Sequence, residues 1–367
     1  MSTIPRLRRD HLEFAAPVDR ELIHPGASHV WSPHSVGTVL ALLASGSSHR
    51  TLAEIVSLIG RDFAGQLADL DASVGPTDGL DLAVLNGLYT PADLPLRRTF
   101  VEHVRARGGT EVANVDFRGD SEGVRRYING RVAQVTHGLI DQLLPPGLPP
   151  PDVRLLLVNA LWVRVAWQEP FKVSHTGPRP FRAPGGTRPV PTMHRTAKLP
   201  LARAHGWSMV TLTGRHGLYL DILLPDVASP TPPPLAPGLL AALHRGASPT
   251  MTKLALPRFT VRTSVSLLGP LARLGLKEMV TDRARFDAIS PDPLKVSEIL
   301  HQAVLSVDEK GAEGAAATGV MMLRGSVLPS RSVEFTVDRP FVLALRRASS
   351  LLFLGRVTDP VDPGPAS

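Results

Sequence analysis

The segment "VRLLLVNALWVRVAW" (153–167) is almost entirely apolar and constrains the fold more than any other part of the chain. A run of this length fits either a long β-strand that is buried on both faces or a buried helix. The valines and two tryptophans, Trp162 and Trp167, favour the strand, because β-branched and aromatic side chains are common in sheets. We therefore expect a long buried strand here.

The rest of the pattern places helices early in the chain and strands late. Segments with apolar residues at helical spacing are 32–60, 96–109, 122–144 and 267–279. Segments with strand-like patterns are 217–226, 253–267, 332–345 and 350–360. Two proline-rich stretches, 143–152 and 229–238, are expected to be surface connections and not domain linkers. This order of elements is typical of the α+β class.

Composition excludes several kinds of site and suggests a location. The chain has no cysteine, so it has no disulfide, thiol nucleophile or thiolate metal site. The first residues lack the apolar run of a signal peptide, and no uncharged apolar stretch reaches the roughly 20 residues that span a bilayer. We expect a cytoplasmic protein without a membrane partner, with an extracellular location as the alternative.

The net charge is +7, and arginine supplies most of the positive charge. A basic chain can bind nucleic acid or another polyanion. The arginines are scattered along the sequence, however, and no nucleic-acid-binding motif accompanies them. An ordinary solvated surface is the simpler interpretation, and a polyanion is a second candidate partner.

None of the sequence motifs of common enzyme active sites is present. The chain contains no H-E-x-x-H pair, G-x-S-x-G elbow, phosphate-binding G-x-x-x-x-G-K-[ST] loop or G-x-G-x-x-G fingerprint. The serines, histidines and aspartates do not stand in the context of an activated nucleophile. We therefore expect neither an enzyme nor a cofactor or metal site.

The segment "DEKGAEGAAATG" (308–319) joins two apolar segments and consists mainly of small residues. If it were extended, its even-numbered residues would face one side and its odd-numbered residues the other. Glu313, the only charge between 312 and 323, is on the odd side, and proline is absent until Pro329. The segment could therefore enter the middle of a sheet with its even side on the core and its odd side facing solvent, although a solvated linker also explains the glycines and alanines.

Several segments resemble the serpin family in the order in which that family has them. They are "VWSPHSVGTVLALLASG", "LNGLYT", "GGTEVANVDF", "INGRVAQVTHGLIDQLLP", "RLLLVNALWVRVAWQEPF", "HQAVLSVDEKGAEGAAATG", "VEFTVDRPFVLAL" and "LLFLGRVTDP". The resemblance implies an α+β serpin fold with a large central mixed sheet, additional smaller sheets and about eight or nine helices. It also implies a single domain over 1–367 and an exposed reactive-centre loop at about 309–331.

The resemblance further implies suicide inhibition of a serine protease, trypsin-like or subtilisin-like. In this mechanism the protease cleaves the loop and forms an acyl-enzyme, and the cleaved loop inserts into the central sheet. The residues that match the start and hinge of the loop are Glu309, Gly311, Ala312, Glu313, Gly314, Ala315, Ala316, Ala317 and Thr318. Ala312 departs mildly from the Thr or Ser that many inhibitory members have there, and the small residues that follow match inhibitory members.

The resemblance allows two positions for the reactive bond. Counting seventeen places through from Glu309 gives Gly325–Ser326, and a loop that is shorter by one residue gives Arg324–Gly325. Arg324 would enter the acidic pocket of a trypsin-like protease, whereas Gly325 would suit a protease that reads neighbouring side chains.

Five residues match structural positions of the family. Asn159 and His301 correspond to the pair in the region called the shutter, with Ser32 and Ser35 nearby. Trp167 corresponds to the tryptophan at the breach, over which the hinge must enter the sheet. A neutral histidine inside a sheet needs hydrogen-bond partners, so we expect His301 to be structural and not catalytic.

The resemblance leaves other functions open. A non-inhibitory serpin would act as a binding or interaction protein and would be cleaved only as a substrate. A polyanion-regulated inhibitor would use the arginine-rich surface to speed association. We expect a monomer, and the arginine- and alanine-rich composition suits a bacterial member.

Overall fold

The computed structural model describes residues 7–74, 82–164, 166–236, 238–310 and 332–364. Eight α-helices lie in these ranges: α1 (Arg9–Leu22), α2 (Pro33–Gly46), α3 (His49–Ile59), α4 (Phe63–Val74), α5 (Arg98–Arg105), α6 (Ser121–Val135), α7 (Leu239–Gly246) and α8 (Leu268–Arg273). No helix in the described part of the chain is long and apolar enough to cross a bilayer.

The same described ranges contain fourteen strands. The strands of the first half are β1 (His29–Trp31), β2 (Leu82–Pro91), β3 (Thr110–Val115), β4 (Leu156–Arg164), β5 (Gly177–Ala183), β6 (Gly186–Ala204) and β7 (Trp207–Thr213). Those of the second half are β8 (Leu218–Pro225), β9 (Ser248–Pro257), β10 (Phe259–Ser266), β11 (Glu298–Val307), β12 (Val333–Thr336), β13 (Phe341–Arg347) and β14 (Ser350–Val357).

The strands form two sheets. One has nine strands in the order β1-β14-β13-β8-β7-β6-β9-β12, with β5 paired to β6, and it is mixed because β12 runs parallel to β9. The other has five strands in the order β10-β11-β4-β2-β3. The expected α+β class, with a large mixed sheet, a further sheet and eight or nine helices, is confirmed.

The apolar run at 153–167 forms β4, as expected, and lies in the interior of the five-stranded sheet. Leu157, Val158 and Leu161 are fully buried, so both faces of the strand are covered. One face of this sheet packs on the cores shared with α2 and with the nine-stranded sheet, and the other face packs under α6. A strand that is apolar on both faces is stable only in such a layered position.

Several boundaries differ from the sequence-based expectations. The helical pattern of 122–144 ends at Val135, because the Thr136 hydroxyl caps the last turn and accepts the N–H of Ile140 (3.1 Å). The segment 332–345 forms two strands and not one, since Pro340 lies between β12 and β13 and cannot donate to a ladder. β2 was not predicted from periodicity, because both its faces are buried and its residues do not alternate.

Candidate functional site

The centre of the five-stranded sheet is a parallel pair of strands, β4 and β11. They pair from Glu298↔Leu156 to Ser306↔Arg164, and we call this boundary the seam. β2 flanks the seam antiparallel to β4, and β10 flanks it antiparallel to β11. A chain segment that turned back from the end of β11 would run antiparallel to both seam strands. Its insertion would therefore replace one parallel ladder with two antiparallel ladders.

Helix α6 covers the outer face of the seam. Val124, Ile128 and Val132 of the helix share one apolar cluster with residues of β4 and β11, among them Val158 and Val304. The sequence had suggested that the odd side of an inserted segment would face solvent. Because α6 packs over the middle of the seam, that side would meet the helix there and would face solvent only beyond it.

His301 and Asn159 lie opposite each other across the seam and are hydrogen-bonded. The Nδ1–H of His301 donates to Asn159 Oδ1, and its Nε2 accepts the backbone N–H of Ser32 at 3.1 Å. This pair of contacts requires the neutral tautomer with the proton on Nδ1. Both ring nitrogens are therefore occupied in a structural contact, which leaves no nitrogen for acid–base chemistry.

Asn86 extends this contact to a third strand, and sequence reasoning missed it. Asn86, Asn159 and His301 are in register across β2, β4 and β11, and Asn159 Nδ2 donates to Asn86 Oδ1. Asn86 is 1% exposed. The signal in the sequence was an asparagine inside the apolar stretch of 82–91, because a buried amide needs a polar partner.

Ser32 and Ser35 lie beside this row at the start of α2. Ser32 caps the helix, since its Oγ accepts the N–H of Ser35 at 3.0 Å, and Pro33 occupies the first helical position. Ser32 thus contacts His301 through its backbone and not through its hydroxyl. The Ser35 hydroxyl is buried and has no hydrogen-bond partner within the described ranges.

We expect His301 to make the protein sensitive to acid. Burial lowers the pKa of His301 to about 3, whereas an unfolded histidine has a pKa of about 6.5. The unfolded chain takes up the proton first, so the free energy of unfolding falls as the pH drops from about 6.5 towards 3, by at most roughly 5 kcal/mol. Urea unfolding of the parent should show this loss, and His301→Gln should show a smaller one. Equal pH slopes in the two proteins would contradict the assignment. Burial also lowers the pKa of His34, to about 4, so part of the sensitivity should remain.

Trp167 lies at the carboxyl end of β11, where the chain leaves the sheet. Its indole N–H donates to the carbonyl of Asp308 at 2.7 Å, and its ring packs edge-on against Phe171 at 5.9 Å. The backbone N–H of Phe171 donates to the carbonyl of Glu309 at 2.9 Å. Trp167 and Phe171 thus bind the carbonyl groups of Asp308 and Glu309, the first two residues of the segment 308–319.

Glu309, the residue that matches the start of the loop, is a buried carboxylate. It is 1% exposed, and neither carboxylate oxygen has a hydrogen bond within the described ranges. Arg258 lies 3.5 Å from Glu309 Oε2 and also 3.3 Å from Asp362 Oδ1. Sequence reasoning missed Arg258 and Asp362, because nothing in their local sequence marks them as neighbours of Glu309.

Removal of Arg258 should expose the cost of burying Glu309. Arg258→Met leaves a buried charge without its ion-pair partner, and we expect a loss of about 3–5 kcal/mol in the free energy of unfolding. The double variant Arg258→Met/Glu309→Gln removes both charges and should recover much of the loss. The urea midpoint measures both effects. A double variant that is no more stable than the single one would show that the pair is not coupled.

The other expected loop residues lie outside the described residues. They comprise the hinge positions after Glu309, namely Gly311, Ala312, Glu313, Gly314, Ala315, Ala316, Ala317 and Thr318, and the candidate reactive-bond residues Arg324, Gly325 and Ser326. The structure therefore shows where the chain enters this segment, at Lys310, and where it returns, at Ser332.

Known proteins share both the sequence and the architecture. The family model described as Serpin (serine protease inhibitor) matches residues 13–360. The chain is similar to Serpin A3-7 of Bos taurus, with 30% identity, and the match covers 96% of this chain and 88% of that one. It is also similar to the leukocyte elastase inhibitor of Bos taurus, with 29% identity over 92% of this chain and 94% of that one.

Two solved structures have the same fold. Native protease nexin-1 with heparin has a TM-score of 0.84 and 24% identity, over 96% of this chain and 98% of that chain. Human thyroxine-binding globulin has a TM-score of 0.83 and 23% identity, with the same coverage of both chains. The match of one family model to nearly the whole chain, together with the shared fold, shows that this protein belongs to the serpin family.

Proposed function

We propose that this serpin is a suicide-substrate inhibitor of a serine protease of the trypsin-like or subtilisin-like class. The protease binds the segment that follows β11 as a substrate and cleaves it once. The freed amino-terminal part of that segment then inserts between β4 and β11 as a sixth strand. The protease, still attached through its acyl bond, is carried to the far end of the sheet and loses its active geometry. The serpin is consumed in the process and is not an enzyme.

The covalent step is an ordinary acyl transfer. The protease serine Oγ attacks the carbonyl carbon of Arg324, or of Gly325 if the loop is longer, and an ester bond forms. The peptide bond breaks, and the protease histidine passes the serine proton to the departing amine. In normal turnover water hydrolyses the ester. Insertion of the segment has to be faster than that hydrolysis for inhibition to result.

The main support for the proposal is the parallel pairing of β4 with β11. The segment 308–319 begins at the carboxyl end of this pair. β11 leads directly into residues 308–310 and then into a run of small residues that could pair with both seam strands. Roughly ten new ladder hydrogen bonds, each worth about 0.5–1.5 kcal/mol net, would favour the inserted state. Before cleavage, opening the seam would break the existing hydrogen-bond ladder between β4 and β11 and displace α6. The activation barrier to this opening would keep the intact protein in the closed state.

The relatives support inhibition, but one neighbour favours another function. The family description and the leukocyte elastase inhibitor are named for protease inhibition. Thyroxine-binding globulin is named for a ligand, so a serpin that acts as a binding protein, and is cleaved only as a substrate, is the second candidate. The small uncharged residues at the even positions from 312 to 318 favour the inhibitor, since bulky or charged residues on the side that faces the core would hinder insertion.

One experiment separates the two functions. The protein is incubated with a trypsin-like and a subtilisin-like protease, and denaturing electrophoresis is followed by mass spectrometry of the released carboxyl-terminal peptide. We expect a stable complex with at least one protease and a released peptide that starts at Gly325 or Ser326. Arg324→Ala should abolish the complex with trypsin if the bond is Arg324–Gly325. Complete cleavage without any complex would favour the binding protein.

A further inference from the structure

The seam lies between the two edge strands of the five-stranded sheet, β10 and β3. A segment that enters the seam adds a sixth strand between these edges. Because neighbouring strands lie about 4.8 Å apart, the distance from β10 to β3 would grow by about that amount. A part of the protein that is bonded to both edges would then have to release one of them.

Helix α6, which packs on the outer face of this sheet, is bonded to β3 at one edge. Arg131 of the helix donates to Glu111 Oε2 of β3 from Nε at 3.1 Å and from Nη2 at 3.0 Å. Tyr89 of β2 donates its hydroxyl to Glu111 Oε1, and its ring packs edge-on against Tyr127 of α6, with ring centroids 6.3 Å apart. Two charge-assisted hydrogen bonds and one ring contact thus hold the helix to β2 and β3.

The chain at the end of α6 is bonded to the other edge, β10. Arg262 of β10 donates from Nη1 to the carbonyl of Leu139 at 2.8 Å. Leu139 belongs to the turn that ends the helix, since its N–H donates to the carbonyl of Thr136 at 3.0 Å. Arg262 is exposed, and its side chain makes no other hydrogen bond within the described ranges. One hydrogen bond therefore joins the end of α6 to this edge.

The closed sheet accommodates both contacts of α6, whereas a six-stranded sheet cannot. A hydrogen bond of 2.8 Å does not survive a separation that is several ångströms larger. The contact at β3 is the stronger of the two, because it joins two charges through two hydrogen bonds, whereas Arg262 donates to a neutral carbonyl. When the seam opens, α6 should therefore stay with β2 and β3, and the hydrogen bond of Arg262 should be the one that breaks.

We propose that Arg262 restrains the opening of the seam: its hydrogen bond to Leu139 joins β10 to α6 across the closed seam and has to break before the segment can enter. The inference rests on the proposed inhibitory function, because insertion is the event that this bond opposes. The bond adds to the barrier that the ladder between β4 and β11 and the apolar packing of α6 already provide. Arg262 therefore acts on the rate of insertion and not on the recognition of the protease.

The test measures how readily the seam of the intact protein opens. A labelled synthetic peptide with the sequence of residues 312–323 is the probe, because it can enter the seam without cleavage of the loop. Arg262→Met keeps a long side chain and removes the donor. The matched control Arg126→Met removes an exposed arginine of α6 that has neither an ion pair nor a side-chain hydrogen bond in the described structure. The measured quantities are the rate of peptide incorporation and the number of serpin molecules consumed per protease.

We expect the peptide to enter Arg262→Met about fivefold faster than the parent, an effect of the size that one lost hydrogen bond produces. Arg126→Met should take up the peptide at the parental rate. Oxidation of a cysteine pair across the seam, Ala160→Cys/Gln302→Cys, should block incorporation in the Arg262→Met background. The number of serpin molecules consumed per protease should not rise, because faster insertion competes better with hydrolysis of the acyl-enzyme.

Three results would overturn the inference and leave the proposed function standing. If Arg262→Met takes up the peptide no faster than the parent or the control, the bond does not restrain the seam. If this variant consumes more serpin per protease than the parent, the bond assists insertion. If it self-associates and its monomer fraction shows no gain in rate, Arg262 only protects an edge strand from pairing with another chain. A parent that takes up no peptide and traps neither a trypsin-like nor a subtilisin-like protease would contradict the proposed function itself.

Discussion

Thr318→Arg is expected to convert the inhibitor into a substrate. Thr318 is one of the even-numbered residues of the segment 312–323. The even side would face the core once the segment became a strand between β4 and β11. A buried cation without a partner costs several kcal/mol, and each 1.36 kcal/mol on the barrier slows a step about tenfold. Hydrolysis of the acyl-enzyme should then be faster than insertion of the segment. The number of serpin molecules consumed per protease should rise more than about tenfold.

Ala315→Arg is the matched control for this prediction. It adds the same charge to the same segment but on the odd side, which would face away from the core after insertion. Inhibition should largely persist, with both proteins cleaved at the same bond. If Thr318→Arg inhibits as well as the parent, or if both variants fail equally, the assigned parity of the segment is wrong.

The second large effect is expected from a disulfide across the seam. Ala160 of β4 and Gln302 of β11 are directly opposite in register, and neighbouring strands are about 4.8 Å apart, a separation that a disulfide can bridge. The chain has no cysteine of its own, so Ala160→Cys/Gln302→Cys introduces the only two thiols. Oxidation should lock the seam and abolish complex formation while the loop is still cleaved. Reduction should restore inhibition.

The single variants Ala160→Cys and Gln302→Cys, treated with the same oxidant, control for damage at either position. Free-thiol titration confirms that the double variant is closed before inhibition is measured. A fully oxidised double variant that still traps protease would mean that the segment does not enter between β4 and β11. This result would not affect the assignment to the family, but it would contradict the proposed mechanism of loop insertion.

The sequence predicted those parts of the fold that local pattern controls. The run at 153–167 is a buried strand because valines and leucines cover both faces, and α2 begins at Pro33 because Ser32 caps it. The split between β12 and β13 was missed, since the effect of Pro340 depends on which neighbouring strand is present. The residue pattern of a segment predicts that it forms a strand, but the neighbouring strands with which it pairs decide where that strand is interrupted.

The candidate site shows a similar division. The resemblance indicated Asn159 and His301, whereas their third partner Asn86 follows only from the antiparallel pairing of β2 with β4. Arg258 and Glu309 are 51 positions apart, and their proximity depends on the pairing of β10 with β11. Contacts of this kind have no local sequence signal, so a single sequence cannot reveal them.

The central claim is that the intact protein stops short of its most stable state, and thermal unfolding of intact and nicked protein tests it most directly. The loop is cut carboxyl-terminal to Leu323 by a metalloprotease, which forms no acyl-enzyme. About ten new ladder bonds should raise the melting temperature by at least about 10 °C. The oxidised Ala160→Cys/Gln302→Cys variant, nicked in the same way, should show no such rise. A nicked parent that melts at or below the temperature of the intact protein would contradict the account.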